Sequence, residues 1–166
     1  ETYLKENIIA DLSLWQNSSV ATLIEHILAR YHQTHRHQFI DILPLAEKVA
    51  SVHSGEFPAE ILPLLQAMQA DLLSHMQKEE QILFPMLANG MRHSAAMPIR
   101  VMMHEHGEHE QSVARLQELT NHFTPPAEAC SSWQRLYAEL QTLVNDLQDH
   151  IELENSVLFA RALAAN

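Results

Sequence analysis

Two long stretches of the chain place their apolar residues three and four apart. Ile61, Leu65, Met68, Leu72, His75, Glu79, Ile82 and Met86 advance by alternating steps of four and three, the spacing that keeps side chains on one face of an α-helix. Leu136, Leu140, Leu143, Leu147, His150, Glu154, Val157 and Arg161 repeat the same steps 75 positions later, with His and Glu at equivalent places. A second pair of stripes matches at a shift of 74. Leu28, His32, His35, Phe39, Ile42, Ala46 and Val49 correspond in order to Met102, His106, His109, Val113, Leu116, Thr120 and Phe123. The chain reads as a helical hairpin written twice, which predicts an all-α, up-down-up-down four-helix bundle with approximate two-fold symmetry.

Three breaks separate the helices: "HSGEFP" at 53–58, "NGMRHSAAMP" at 89–98 and "NHFTPP" at 121–126. They predict helices over Ser19 to Val52, Ala59 to Ala88, Pro98 to Asn121 and Pro125 to Ala164. Thr124 is expected to cap the last helix, with Pro125 at its first position. Pro44 and Pro63 fall inside the first two helices and mark a kink or a later start. Residues 1–18 read as a linker or the remnant of an upstream N-terminal lobe, and 19–166 as one bundle domain.

Composition narrows the class. A chain of 166 residues, 46% hydrophobic, holds one buried core. A formal net charge of −11 argues against nucleic acid, whose binding draws on clustered Lys and Arg. No apolar run is long enough to span a membrane, and the expected location is the cytoplasm. A single cysteine, Cys130, forms no internal disulfide, and its expected role is that of a buried structural thiol. Twelve histidines stand out. His26, His37, His53, His93 and His122 have surface-type settings and are assigned no role.

The histidines on the stripes carry the chemistry. Positions i and i+4 stack on a helix, so His75 with Glu79, and His150 with Glu154, each present a nitrogen and a carboxylate to the core. Burying an unpaired carboxylate costs several kcal/mol, so a cation is expected between them. Imidazole and carboxylate without thiolate suit iron, manganese or zinc, whereas Ca²⁺ and Mg²⁺ take oxygen. Positions equidistant from the turns fall at one level, so His32 and His106 can join the same layer. His35 and His109 lie one step further along the same stripes, and periodicity does not choose between the pairs. Six ligands suit two metals bridged by carboxylates. Two divalent ions less two glutamates leave room for a bridging oxide, hydroxide or small ligand. "HEHGEHE" at 104–110 contains no H-E-x-x-H, which removes the zincin reading. The E-x-x-H pairs of ferritin-type di-iron bundles are also absent.

The ordered segments "RYH", "SHMQKEEQILFP", "MMHEH" and "DHIELENSVLF", with "HFTPPAEAC" before the last helix, resemble the hemerythrin-like di-iron bundles. They are most similar to the Repair of Iron Centers proteins, from about Leu23 to Leu163. The resemblance implies two iron ions in an oxo- or hydroxo-bridged centre. His32, His75, His106 and His150 would be terminal ligands, and Glu79 and Glu154 bridges. It selects His32 over His35 and His106 over His109, leaving His35, His109 and Glu110 as candidates for contacts behind the ligands. Lys78 and Glu80, beside Glu79, are expected to face solvent.

Oxygen-carrying hemerythrins have H-x-x-x-H on the third helix, where this chain has His106 and Glu110, so a vacant coordination position is expected. The Cys pair of the longer members' N-terminal lobe has no counterpart here. The implied function is repair of iron-sulfur clusters damaged by oxidative or nitrosative stress, by iron donation or NO binding at the open site. The alternative is a sensor or carrier of O₂ or NO without repair activity. The expectation is an iron donor rather than an enzyme, with NO-reducing or redox turnover as the other outcome. Expected partners are damaged iron-sulfur proteins and small ligands, with a homodimer allowed.

Overall fold

A computed structural model describes residues 12–164. Most of the predicted linker therefore lies outside the described residues. Residues 12–16 form a short helical turn, with Trp15 stacked on His26 at 4.2 Å between ring centroids.

Among the described residues, four long helices form an antiparallel bundle without strands. The first, α1, runs from Val20–Ile27 through a π-turn at Leu28–His32 into Gln33–Val52. The second, α2, comprises Ile61–Lys78, a π-turn at Glu79–Leu83 and Phe84–Ala88. Arg92–Leu119 forms α3 without interruption. The fourth, α4, comprises Ser131–Leu153, a π-turn at Glu154–Phe159 and Ala160–Ala164. Each helix packs on its sequence neighbour, and α1 against α4 closes the ring. No helix among the described residues is long and apolar enough to cross a membrane.

Local chemistry sets most ends. Ser19 caps α1, its hydroxyl accepting from the Thr22 amide. The α2 helix closes on Gly90, at φ 73°, while the Met91 amide donates to the Met86 carbonyl in a Schellman arrangement. Pro63 falls in the first turn of α2, where its missing N–H leaves no helical bond unmade.

Two predicted starts were misplaced. Helix α3 begins six residues before Pro98, and Ala95 and Ile99 carry its buried stripe upstream. Helix α4 begins at Ser131, with Cys130 rather than Thr124 in the N-cap position. Pro126 pushes Pro125 out of the helical region, so Pro125 cannot open a helix. The chain instead turns through Asn121, His122 and Phe123, all with positive φ, and the Thr120 hydroxyl accepts from the Phe123 amide.

The π-turns also shift the stripes. In each such turn one extra residue is accommodated, as when the Phe84 amide reaches back five residues to Glu79. Predicted core residue Ile82 is 55% exposed, and Leu83, at 1%, takes the inward place. Ile27 is likewise buried where Leu28 was expected.

The core is divided in two. One cluster includes Phe39, Leu65, Leu116 and Leu140; the other includes Leu23, Leu83, Ile99 and Phe159. Full burial of such side chains stabilises by about 1.5–3 kcal/mol each. Between the clusters along all four helices lies a layer of buried histidine and glutamate.

Candidate metal centre

The six residues expected as ligands converge in that layer, all with no more than 1% of their surface exposed. Glu79 Oε1 lies 3.3 Å from the Nε2 atoms of both His32 and His75. Glu154 Oε1 lies 3.0 Å from His106 Nε2 and 3.3 Å from His150 Nε2. Potential ligand atoms fall into two overlapping sets, His32, Glu79, His150, Glu154 and His75, Glu79, His106, Glu154, each within 4.8 Å of one another. Both glutamates belong to both sets, which is the arrangement of two cation positions joined by two carboxylates.

Hydrogen bonds behind the imidazoles set their tautomers. His32 Nδ1 donates to Glu80 Oε2 at 2.6 Å, and His75 Nδ1 donates to Glu105 Oε1 at 3.0 Å. His106 Nδ1 donates to Asn155 Oδ1 at 2.8 Å. His150 Nδ1 lies 3.0 Å from His35 Nε2. A proton on Nδ1 leaves the Nε2 lone pair pointing inward, as a metal ligand requires. Arg36 grips Glu80 through two 2.9 Å bonds, and Lys78 donates to Glu105. The expectation that Glu80 faces solvent is thus overturned, whereas Lys78 keeps 43% of its side chain exposed while reaching Glu105. Lys78 and Glu80 flank Glu79 toward α3 and α1 respectively, where each meets a partner of the ligand set.

Electrostatics shows what the layer lacks. Burial pushes His32 down to about 4 and His75 to about 3, so both imidazoles are neutral at neutral pH. Burial and the neighbouring Glu154 drive Glu79 well above the usual carboxylate range. No described partner satisfies either oxygen of Glu79, either oxygen of Glu154, or the Nε2 atoms of His32 and His150 with hydrogen-bond geometry. His75 Nε2 and His106 Nε2 face each other at 3.1 Å, although both protons reside on Nδ1. Orphaned buried acceptors converging on shared points fit cations held between them.

The three candidates behind the ligands differ in position. His35 is buried and contacts His150 directly. His109 is buried with its ring 4.9 Å from that of His75, and its Nδ1 has no described hydrogen-bond partner. Glu110 lies on the exposed face of α3. Glu80, Glu105 and Asn155 were not foreseen as contacts of the ligands. For Asn155 the signal was present, since it follows Glu154 as Glu80 follows Glu79.

Residues 23–162 match the hemerythrin HHE cation-binding domain, and the chain belongs to this family. Within it, the chain is 54% identical over 155 residues to the iron-sulfur cluster repair protein DnrN of Neisseria gonorrhoeae, covering 93% of this chain and 99% of that one. It is 45% identical to a probable iron-sulfur cluster repair protein of Haemophilus influenzae, over 90% of this chain and 68% of the relative. To the repair protein YtfE of Escherichia coli K12 it is 44% identical, over 90% and 69%.

Proposed function

We propose that this protein binds two iron ions through His32, His75, His106 and His150, bridged by Glu79 and Glu154, and that it repairs damaged iron-sulfur clusters. The observation that carries the reading is the pair of buried four-residue sets sharing both carboxylates. The family's cation-binding description supports the metal, and the similarity to DnrN over nearly its whole length supports the repair role. Clients would be iron-sulfur proteins damaged by oxidative or nitrosative stress, in the cytoplasm.

When bound, iron would supply redox chemistry and an exchangeable cation for damaged clusters. The protein's own part is positional. Glu80, Glu105, Asn155 and His35 each engage the Nδ1 side of one imidazole, so four Nε2 atoms face the layer. Glu79 and Glu154 supply the negative charge, and the apolar clusters on either side exclude water. Exposed Glu110, four residues after His106 where oxygen-carrying hemerythrins have histidine, would leave a coordination position open, which favours donation or NO binding over reversible O₂ carriage.

Metal analysis of purified protein is expected to find about two irons per chain, as for a carboxylate-bridged pair. The loaded protein should then restore activity to an iron-sulfur enzyme with a damaged cluster, above the level given by equal free iron. Iron loading without restoration would favour an O₂ or NO sensor or carrier. One zinc and no iron would overturn the di-iron reading.

A further inference from the structure

Behind His150 the hydrogen bonds do not stop at His35. His35 Nδ1 lies 3.0 Å from Gln38 Oε1, and Gln38 Nε2 donates to Asp146 Oδ2 at 2.8 Å. Arg30 Nη2 donates to Asp146 Oδ1 at 2.8 Å, with the Arg30 side chain 46% exposed. A continuous line thus runs from the surface to a proposed iron ligand through side chains of α1 and α4.

Its direction is determined at one end. An ionised carboxylate only accepts, so Asp146 obliges Gln38 to present its NH₂ group there and its carbonyl to His35. That carbonyl in turn obliges His35 to carry its proton on Nδ1, leaving Nε2 as an acceptor. His150 can then donate from Nδ1 and keep Nε2 free. His32, His75 and His106 each obtain the same tautomer from an oxygen one step away. His150 depends on a residue three steps away because its neighbour is an imidazole, which can take either role.

We propose that Gln38 and Asp146, clamped by Arg30, are positioning residues that fix the tautomer of His150 through His35 and thereby set how firmly the centre holds iron. This rests on the di-iron reading above. Reversing the direction of the line would place the His35 proton on Nε2, facing His150, and drive the His150 proton onto the atom that should bind metal.

Amide-for-acid substitutions test the direction. In Asp146→Asn, an amide whose oxygen still accepts from Arg30 turns its NH₂ group toward Gln38, inviting the reversal. In Gln38→Glu with Asp146→Asn, the carboxylate at 38 accepts from both His35 and the amide at 146, so the original direction returns. Iron affinity is read by competition with a ferrous chelator, and the fold by thermal unfolding of the metal-free proteins. Asp146→Asn is expected to weaken iron binding by roughly ten- to a hundredfold, the range for outer partners of metal ligands. The double variant is expected to return to within about twofold of the parent, a coupling that packing alone would not produce. Equal weakening in the single and double variants, or an Asp146→Asn affinity equal to that of the parent, overturns the proposal. A parent protein that binds no iron would instead overturn the reading on which it rests.

Discussion

The two hairpins of the bundle offer the same inner residues and different support for them. His32 and His106 correspond, as do His75 with His150 and Glu79 with Glu154. Behind them the correspondence fails. Glu80, charged and gripped by Arg36, is matched by the neutral Asn155, and Glu105 is matched by Tyr31, which lies stacked on His150 at 5.1 Å. The His75 imidazole consequently leans on a carboxylate, whereas His150 leans on another imidazole. Symmetry is kept in the two buried His/Glu groups that could hold a metal, and it relaxes one bond further out, where a change in basicity would adjust a metal without abolishing its site.

The strongest challenge to that symmetry is removal of one of the two carboxylates proposed as bridges. Glu79→Leu and Glu154→Leu should each abolish loading with a pair of irons, measured as iron per chain, and to the same degree. A protein that tolerates one change and not the other would show that only one carboxylate is shared. Next in size is packing beside the bridge. Leu83→Ala should cost about 2–5 kcal/mol in chemical unfolding, as for a buried leucine, while Ile82→Ala should stay within about 1 kcal/mol. Equal costs would contradict the shifted register of the π-turn.

Exchanging the outer partners sharpens the comparison. Glu80→Gln should weaken iron affinity by roughly tenfold, and Asn155→Asp should strengthen it, both read by chelator competition. Charge alone predicts the same two signs, so the test needs a control that removes one negative charge away from these partners, at exposed Glu110. Glu110→Gln serves as that control.

A separate expected effect is on metal-free stability against pH. His32, His35, His75 and His109 all titrate lower in the folded protein than the ordinary value of 6.5, at about 4, 3, 3 and 4, chiefly because they are buried. Between these values and 6.5 the unfolded chain binds more protons, so stability falls as pH falls through this window. Each such histidine contributes about 1.4 kcal/mol per pH unit to the slope. Glu79, displaced upward from 4.5, opposes this trend across the same range, and His106, displaced upward from 6.5, opposes it above that value, but the four lowered histidines outnumber them. Denaturant midpoints from pH 7 down to 5 should therefore decline without metal, and a flat profile would refute the burial of neutral imidazoles.

Sequence periodicity revealed the bundle, its hairpin repeat and the buried His and Glu of the stripes, because a buried stripe repeats at helical spacing whatever its neighbours do. The choice of His32 and His106 over His35 and His109 came from the family resemblance. Periodicity chose poorly wherever geometry departed from a regular helix. Ile82 for Leu83 and Leu28 for Ile27 were errors of a single residue, each caused by a π-turn that no local signal marked. The start of α3 was recoverable, since Ala95 and Ile99 continue the stripe past Pro98, but the proline was weighted above the pattern. Contacts behind the ligands were the least legible. Glu80 and Lys78 look like ordinary solvated charges until the neighbouring helices supply Arg36, His32 and Glu105.

Counted as chain length, each π-turn is a one-residue insertion that the helix has retained. Losing a residue from the turn after Glu79 would restore a regular helix and bring Leu83, Phe84 and Leu87 to three, four and seven positions beyond Glu79, all on its inward face. Phe84 and Leu87 would stay with the core cluster on that side of the centre, and His75 and Glu79 would keep their places. A single-residue deletion there should be better tolerated than one in α3, which reaches the same layer without a π-turn and would have every residue beyond the deletion turned off its face by about 100°.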